Sequence, residues 1–239
     1  MSSSPSAPLG PGAALRLRLM MRVQASQAHE SQFLTIRRDA GAWHTLAGGA
    51  RVRPLVQTAQ VSSSLIELPA GVCLPVDPAY NQCEMVLLVG DAICGDLPLR
   101  EGDACVTAGP DVRVGRTGAR LYLRRSRVAM PVDAPTVVAT GDDSGWDDFC
   151  PGVRIRELWN GGERRSLLVR MRAGASVGAH DHALEEECMM LAGEAFIGDT
   201  LLRSGEFQLA PRGSRHGEVT TDVGALFFVH GALDPTAYA

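Results

Sequence analysis

Four side chains in the C-terminal half have types and spacings suited to holding a metal: His180, His182, Glu186 and His216. Residues i and i+2 of a strand share a face, so His180 and His182 point the same way. Glu186 follows after a short turn and can face back toward them. Pro211 and Gly213 shape a turn that presents His216 from a strand more distant in sequence. Three imidazoles and one carboxylate suit zinc, iron(II), manganese, nickel or copper. Four protein ligands would complete a tetrahedral zinc site or leave two positions open on an octahedral ion. If positions stay open, Glu186 is the residue that could act as a base. A lone histidine usually packs in a core or faces water. Here the case for a metal is that four ligand side chains fall into one compact pattern.

The neighbours of this pattern are expected to do other things. By strand alternation Glu185 and Glu187 should point outward, while Cys188 shares the parity of Glu186 and should pack in the interior. His29, His44 and His230 fit no ligand pattern and are expected to face solvent.

The elements that must position these residues come in two copies. Sliding the chain by about 103 residues brings Trp43 onto Trp146, Gly49 onto Gly152, and Arg51, Arg53 and Leu55 onto Arg154, Arg156 and Leu158. Ala70-Gly71 then falls on Ala173-Gly174, Glu84 on Glu187, Gly90 to Asp96 on Gly193 to Asp199, and Gly102 on Gly205. About 18 of about 60 positions are identical without a gap, where chance gives roughly 4. Each copy reads as short apolar strands separated by Gly, Pro and Asp turns, with no long 3.6-residue apolar period. The fold expected is all-β: two tandem barrels from one duplicated unit. Residues 31–130 should form the first and 146–235 the second, joined by a Pro/Thr/Gly/Asp-rich linker at 131–145 and preceded by a disordered or irregular tail at 1–30. In the first copy the ligand positions hold Asp77, Ala79, Cys83 and Arg113. That barrel is expected to be metal-free.

Composition sets the remaining bounds. The chain has 239 residues, a formal net charge of −4 and 45% hydrophobic residues. Two domains of ordinary size fit, and no basic footprint argues for nucleic acid. No apolar stretch is long enough to span a membrane as a helix. The six cysteines form no C-x-x-C pair and mostly sit in apolar runs. Buried free thiols in a reducing, cytoplasmic setting are the expectation.

The spacing G-x5-H-x-H-x3-E-x6-G from Gly174 to Gly193, followed by G-x5-P-x-G-x2-H from Gly205 to His216, closely resembles the two motifs of the cupin superfamily. Thr220 stands where the second motif ends in Asn, a position that is not a ligand in that family. Within the cupins, Leu167 to Gly231 is most similar to the cupin domain of ChrR, the zinc-containing anti-sigma factor. The resemblance implies a bicupin of two double-stranded β-helix (jelly-roll) barrels. It also implies one divalent metal on His180, His182, Glu186 and His216, with zinc expected first and iron, manganese or nickel as alternatives. A homodimer and a small-molecule ligand are its implied partners. The anti-sigma function of ChrR resides in a helical zinc domain with an H-x3-C-x2-C signature, which this sequence lacks, so direct sigma-factor binding is not expected. Fold does not dictate activity. Three functions therefore stand: a sensor of a small molecule or of oxidative stress, a metal-dependent dioxygenase, and a metal-stabilised interaction module.

Overall fold

The computed structural model describes residues 11–109, 112–127, 136–139 and 141–232. Residues 1–10 of the expected tail, 131–135 and 140 of the expected linker, and 233–235 at the end of the second unit lie outside these.

The alternating and β-branched runs form antiparallel strands, as their side-chain period requires. The first sheet runs in the order His44–Thr45, Arg51–Gln57, Val61–Leu68, Val112–Ser126, Gln82–Cys94, Ala104–Thr107, Thr136–Val138. The second runs Leu34–Ile36, Phe207–Ala210, Glu186–Ile197, Ala225–Gly231, Arg165–Met171, Val153–Asn160, Asp147–Cys150. Glycines sit where two strands approach closely. Gly193 has φ +72°, and a Cβ there would lie 2.0 Å from the Gly224 carbonyl oxygen. Its counterpart Gly90 has φ +93° and the same relation, at 2.1 Å, to Gly118. Only glycine fits either place.

Two features depart from the expected domain boundaries. Leu34–Ile36, assigned to the first unit, pairs with Phe207–Ala210 of the second (Leu34 opposite Leu209). Reciprocally Thr136–Val138, assigned to the linker, pairs with Ala104–Thr107 of the first (Cys105 opposite Val137). Each barrel thus lends an edge strand to the other, which covers backbone groups that would otherwise be exposed. The tail expected to be irregular is helical over Pro11–Glu30. Proline is tolerated at the first helical position, and the Leu, Arg, Met and Ala that follow are strong helix formers.

The apolar side chains segregate into three cores. One fills the first barrel around Leu87, Leu99 and Leu121. Another fills the second barrel around Met190, Leu202 and Phe227. Between them lies a core built by both, with Val86 and Tyr122 from the first barrel and Met189, Phe207 and Phe228 from the second. Tyr122 is fully buried, its ring centroid 5.1 Å from that of Phe228. Burying each such side chain contributes about 1.5–3 kcal/mol, so the barrels have a strong reason to stay joined.

Candidate metal centre

His180 and His216 face each other directly, because His180–Asp181 pairs with Arg215–His216 in a two-stranded ladder. The turn through Pro211 to Ser214 sets this register: His182 N–H donates to the Ser214 carbonyl at 2.9 Å, and Gly213 N–H donates to the His182 carbonyl at 2.8 Å. Glu186 enters from the start of the next strand, Glu186–Ile197. All four predicted residues converge, each offering a ligand atom within 4.8 Å of the others. That spread is close to the roughly 4 Å separating opposite donors around one ion. The imidazole centroids of His182 and His216 are 4.2 Å apart, and those of His180 and His182 are 5.2 Å apart.

Hydrogen bonds fix which nitrogen each of two imidazoles offers. His180 Nδ1 lies 3.0 Å from the Gly178 carbonyl oxygen, which can only accept, so Nδ1 carries the proton and Nε2 a lone pair. Ser214 gives its hydroxyl proton to the Pro211 carbonyl at 2.6 Å. Its oxygen must therefore accept from His182 Nδ1 at 3.0 Å, which again leaves a lone pair on Nε2. His182 Nε2 is buried without a hydrogen-bond partner and lies 3.6 Å from Glu186 Oε1. A buried polar atom without a partner costs free energy, and a cation between these atoms would remove that cost. The donor set and its orientation fit a divalent metal. Ser214 is the functional residue that ligand spacing alone does not reveal. Its signal is only its place beside Gly213 in the turn.

Burial alone would push the Glu186 carboxyl up, but His182, with His216 and His180 behind it, holds it below its ordinary value. Cys188 is the reverse case: burial, with the Glu186 charge adding to it, pushes the thiol well up. Cys188 and Phe227 line an apolar cavity of about 100 Å³ that also touches His180, Glu186 and His216. Phe33, just before the borrowed strand, packs on His216 with centroids 4.9 Å apart.

The flanking residues divide. Glu185 is half-buried and pairs with Arg164 at 3.1 Å. Glu187 leaves the barrel lumen as expected but does not reach water; it is 3% exposed in the seam between the barrels. His230, expected in solvent, is 2% exposed in the same seam. Both corrections have one cause: the outer face of these strands packs against the other barrel. His44 is exposed, and the side chain of His29 lies outside the described residues. In the first barrel Asp77 is exposed and accepts from Ala79 N–H at 3.0 Å, Arg113 is exposed, and Cys83 is buried with its pKa raised to about 11 by desolvation. None of the six cysteines, all of them among the described residues, forms a disulfide.

Two antiparallel β-barrels, the second holding a His3Glu cluster, define the molecule as a cupin in fold. More particularly, the family model of the ChrR cupin-like domain matches residues 134–234. No curated protein matches the chain. Similar solved structures span both barrels. They include a candidate dioxygenase from Nostoc punctiforme PCC 73102 (14% identity, TM-score 0.66, 85% of this chain and 87% of that one). Protein Ylba from E. coli is similar at 10% identity and TM-score 0.66 over 84% of this chain and 91% of that one. The oxalate decarboxylase of Lactobacillus farciminis, solved with formate, has 11% identity and TM-score 0.62 over 83% and 86%. At these identities the likeness establishes the fold. No helix among the described residues is long and apolar enough to cross a membrane.

Proposed function

We propose that this is a ChrR-like metal-binding bicupin that senses a small molecule or oxidant at a divalent ion held by His180, His182, Glu186 and His216. The observation that supports it is the preset orientation of two imidazoles, whose Nδ1 hydrogen bonds leave Nε2 lone pairs free. The ion would supply Lewis acidity and a coordination position beside the apolar cavity. Zinc is the ion we propose; iron, manganese and nickel share the donor preferences. The cavity walls would select a small uncharged molecule, because its lining beyond the ligand residues is apolar and carries no arginine or lysine. Elemental analysis of the purified protein tests the reading: about one equivalent of metal is expected, lost in the H180A/H182A double variant. Retention of metal by that variant would sink it.

A second reading, a metal-dependent dioxygenase, is favoured by the cavity lying directly against His180, Glu186 and His216. Glu186 would then be the group that accepts a substrate proton, and the apolar walls would hold the substrate and exclude water. Oxygen uptake by iron-loaded protein with diketones, flavonols or thiols separates the two. Uptake supports catalysis, and none with folded, metal-replete protein supports sensing.

A further inference from the structure

Arg53 carries a buried charge outside the metal centre. It lies on the Arg51–Gln57 strand and is 4% exposed. One terminal nitrogen donates to the Arg38 carbonyl, but Nε has no hydrogen-bond partner. Among the described residues no carboxylate comes within ion-pair distance of it. Its guanidinium sits 5.4 Å from the centroid of the Trp43 ring, which also faces Arg51 at 5.1 Å. A ring quadrupole shared by two cations compensates little of either. Burial, and then the charge of Arg120, hold the Arg53 pKa below its usual value, and the more distant carboxylates of Asp39 and Glu67 offset this only in part. Its counterpart in the repeat, Arg156, is half-buried and donates to two carbonyls, of Ala139 and Asp142, at 3.0 and 3.3 Å.

Buried charges in proteins are normally paired. Arg53 faces the space where a partner could sit, a cleft of about 590 Å³ between the barrels. That volume is ordinary for a small-molecule site. Arg38 and Arg120 share the cleft, although Arg120 is engaged by Glu67 at 3.0 Å. Asp39 and Glu101 also line it, and both are exposed to water. Leu65 and Val86 of one barrel, with Leu191 and Leu226 of the other, provide apolar wall.

We propose that this cleft is a second ligand site, separate from the metal centre. It would bind a small carboxylate with a planar apolar body, the carboxylate on Arg53 and the body between Trp43 and the leucines. The guanidinium fork suits a carboxylate, and the unpartnered Nε supplies a donor. Titration of the full-length protein with benzoate, followed by calorimetry and tryptophan fluorescence, tests it. Neutral benzamide serves as the isostere. Saturable 1:1 binding of benzoate is expected, at least tenfold tighter than benzamide. The R53M substitution should bring benzoate down to the benzamide level. Where R53M fails to fold, R53Q replaces it, with circular dichroism as the check on both. The H180A/H182A variant should bind benzoate as the wild type does, so this site stands or falls independently of the metal. The proposal is overturned by the absence of saturable benzoate binding, by equal affinity for benzamide, or by undiminished binding in a folded Arg53 variant.

Discussion

Ser63 of the first barrel donates its hydroxyl to the carboxylate of Glu187 in the second. The repeat returns the contact, because the matching Ser166 donates to the matching Glu84. Each serine and glutamate lies in register with a third residue: Arg124 stands opposite Ser63 and Glu84, and His230 opposite Ser166 and Glu187. Arg124 bridges both carboxylates, at 2.9 Å from Glu84 and 3.0 Å from Glu187. Tyr122 adds a donor to Glu187 at 3.1 Å, and His230 Nδ1 donates to Ser166 at 2.9 Å. The duplicated unit therefore kept its interface pair, Ser and Glu, in both copies while its metal ligands stand in only one.

Arg124 is the cation that makes two buried carboxylates tolerable. Replacing it with Met leaves Glu84 and Glu187 without it, and removing one partner of a buried pair costs about 3–5 kcal/mol. The R124M protein is expected to unfold at markedly lower urea, with loss of interbarrel protection in hydrogen exchange. A shift below about 1 kcal/mol would mean that the remaining donors suffice.

Glu84 links this seam to pH. Burial would raise its pKa, but His230 and Arg124, with the hydroxyl of Ser166, bring it down to about 2 from 4.5. A carboxyl with a lowered folded pKa adds stability above its unfolded pKa, and that stability is lost as pH falls through the folded one. The contribution should be intact at pH 6 and decline between about pH 4.5 and 2. Urea unfolding of wild type and E84Q across that window checks it: the difference between them should shrink on acidification. A difference constant down to pH 2 would contradict the assignment.

The barrels and the ligand set were legible because both rest on local periodicity: a fixed repeat and His-x-His parity on one strand. The seam was less so. Alternation says that Glu187 leaves the lumen, but not that another barrel waits on that side, so Glu187 and His230 read as solvent-facing. The exchanged strands at Leu34–Ile36 and Thr136–Val138 were hidden for a related reason, since each pairs across the repeat boundary. The Pro11–Glu30 helix has no amphipathic stripe to announce it, and Leu15, Leu17 and Leu19 are all exposed along it.

Gly193 tests whether the close strand crossing is required. An Ala there must adopt φ near +72° and place its Cβ 2.0 Å from a backbone carbonyl that cannot swing aside. The conformational penalty alone is about 1–2 kcal/mol, and the clash adds to it. G193A is expected to lose more than about 2 kcal/mol by thermal or urea unfolding, while alanine at exposed Gly162, where nothing lies within 4 Å, should cost only the conformational part.

Ser214 offers the sharpest separation of orientation from ligation. It touches no candidate metal atom. It accepts from His182 Nδ1 while its own proton is committed to Pro211. In S214A the four ligands remain, but His182 loses the acceptor that selects its tautomer and holds its ring. Loss of such a supporting hydrogen bond typically weakens metal affinity 10–100-fold. Competition with a chromophoric chelator should show that weakening in S214A with stoichiometry unchanged at about one, and the S214T variant, which keeps a hydroxyl, should recover most of it. Equal affinity of S214A and wild type would mean that the ladder joining His180 to His216 positions the imidazoles without help from the side chain of residue 214.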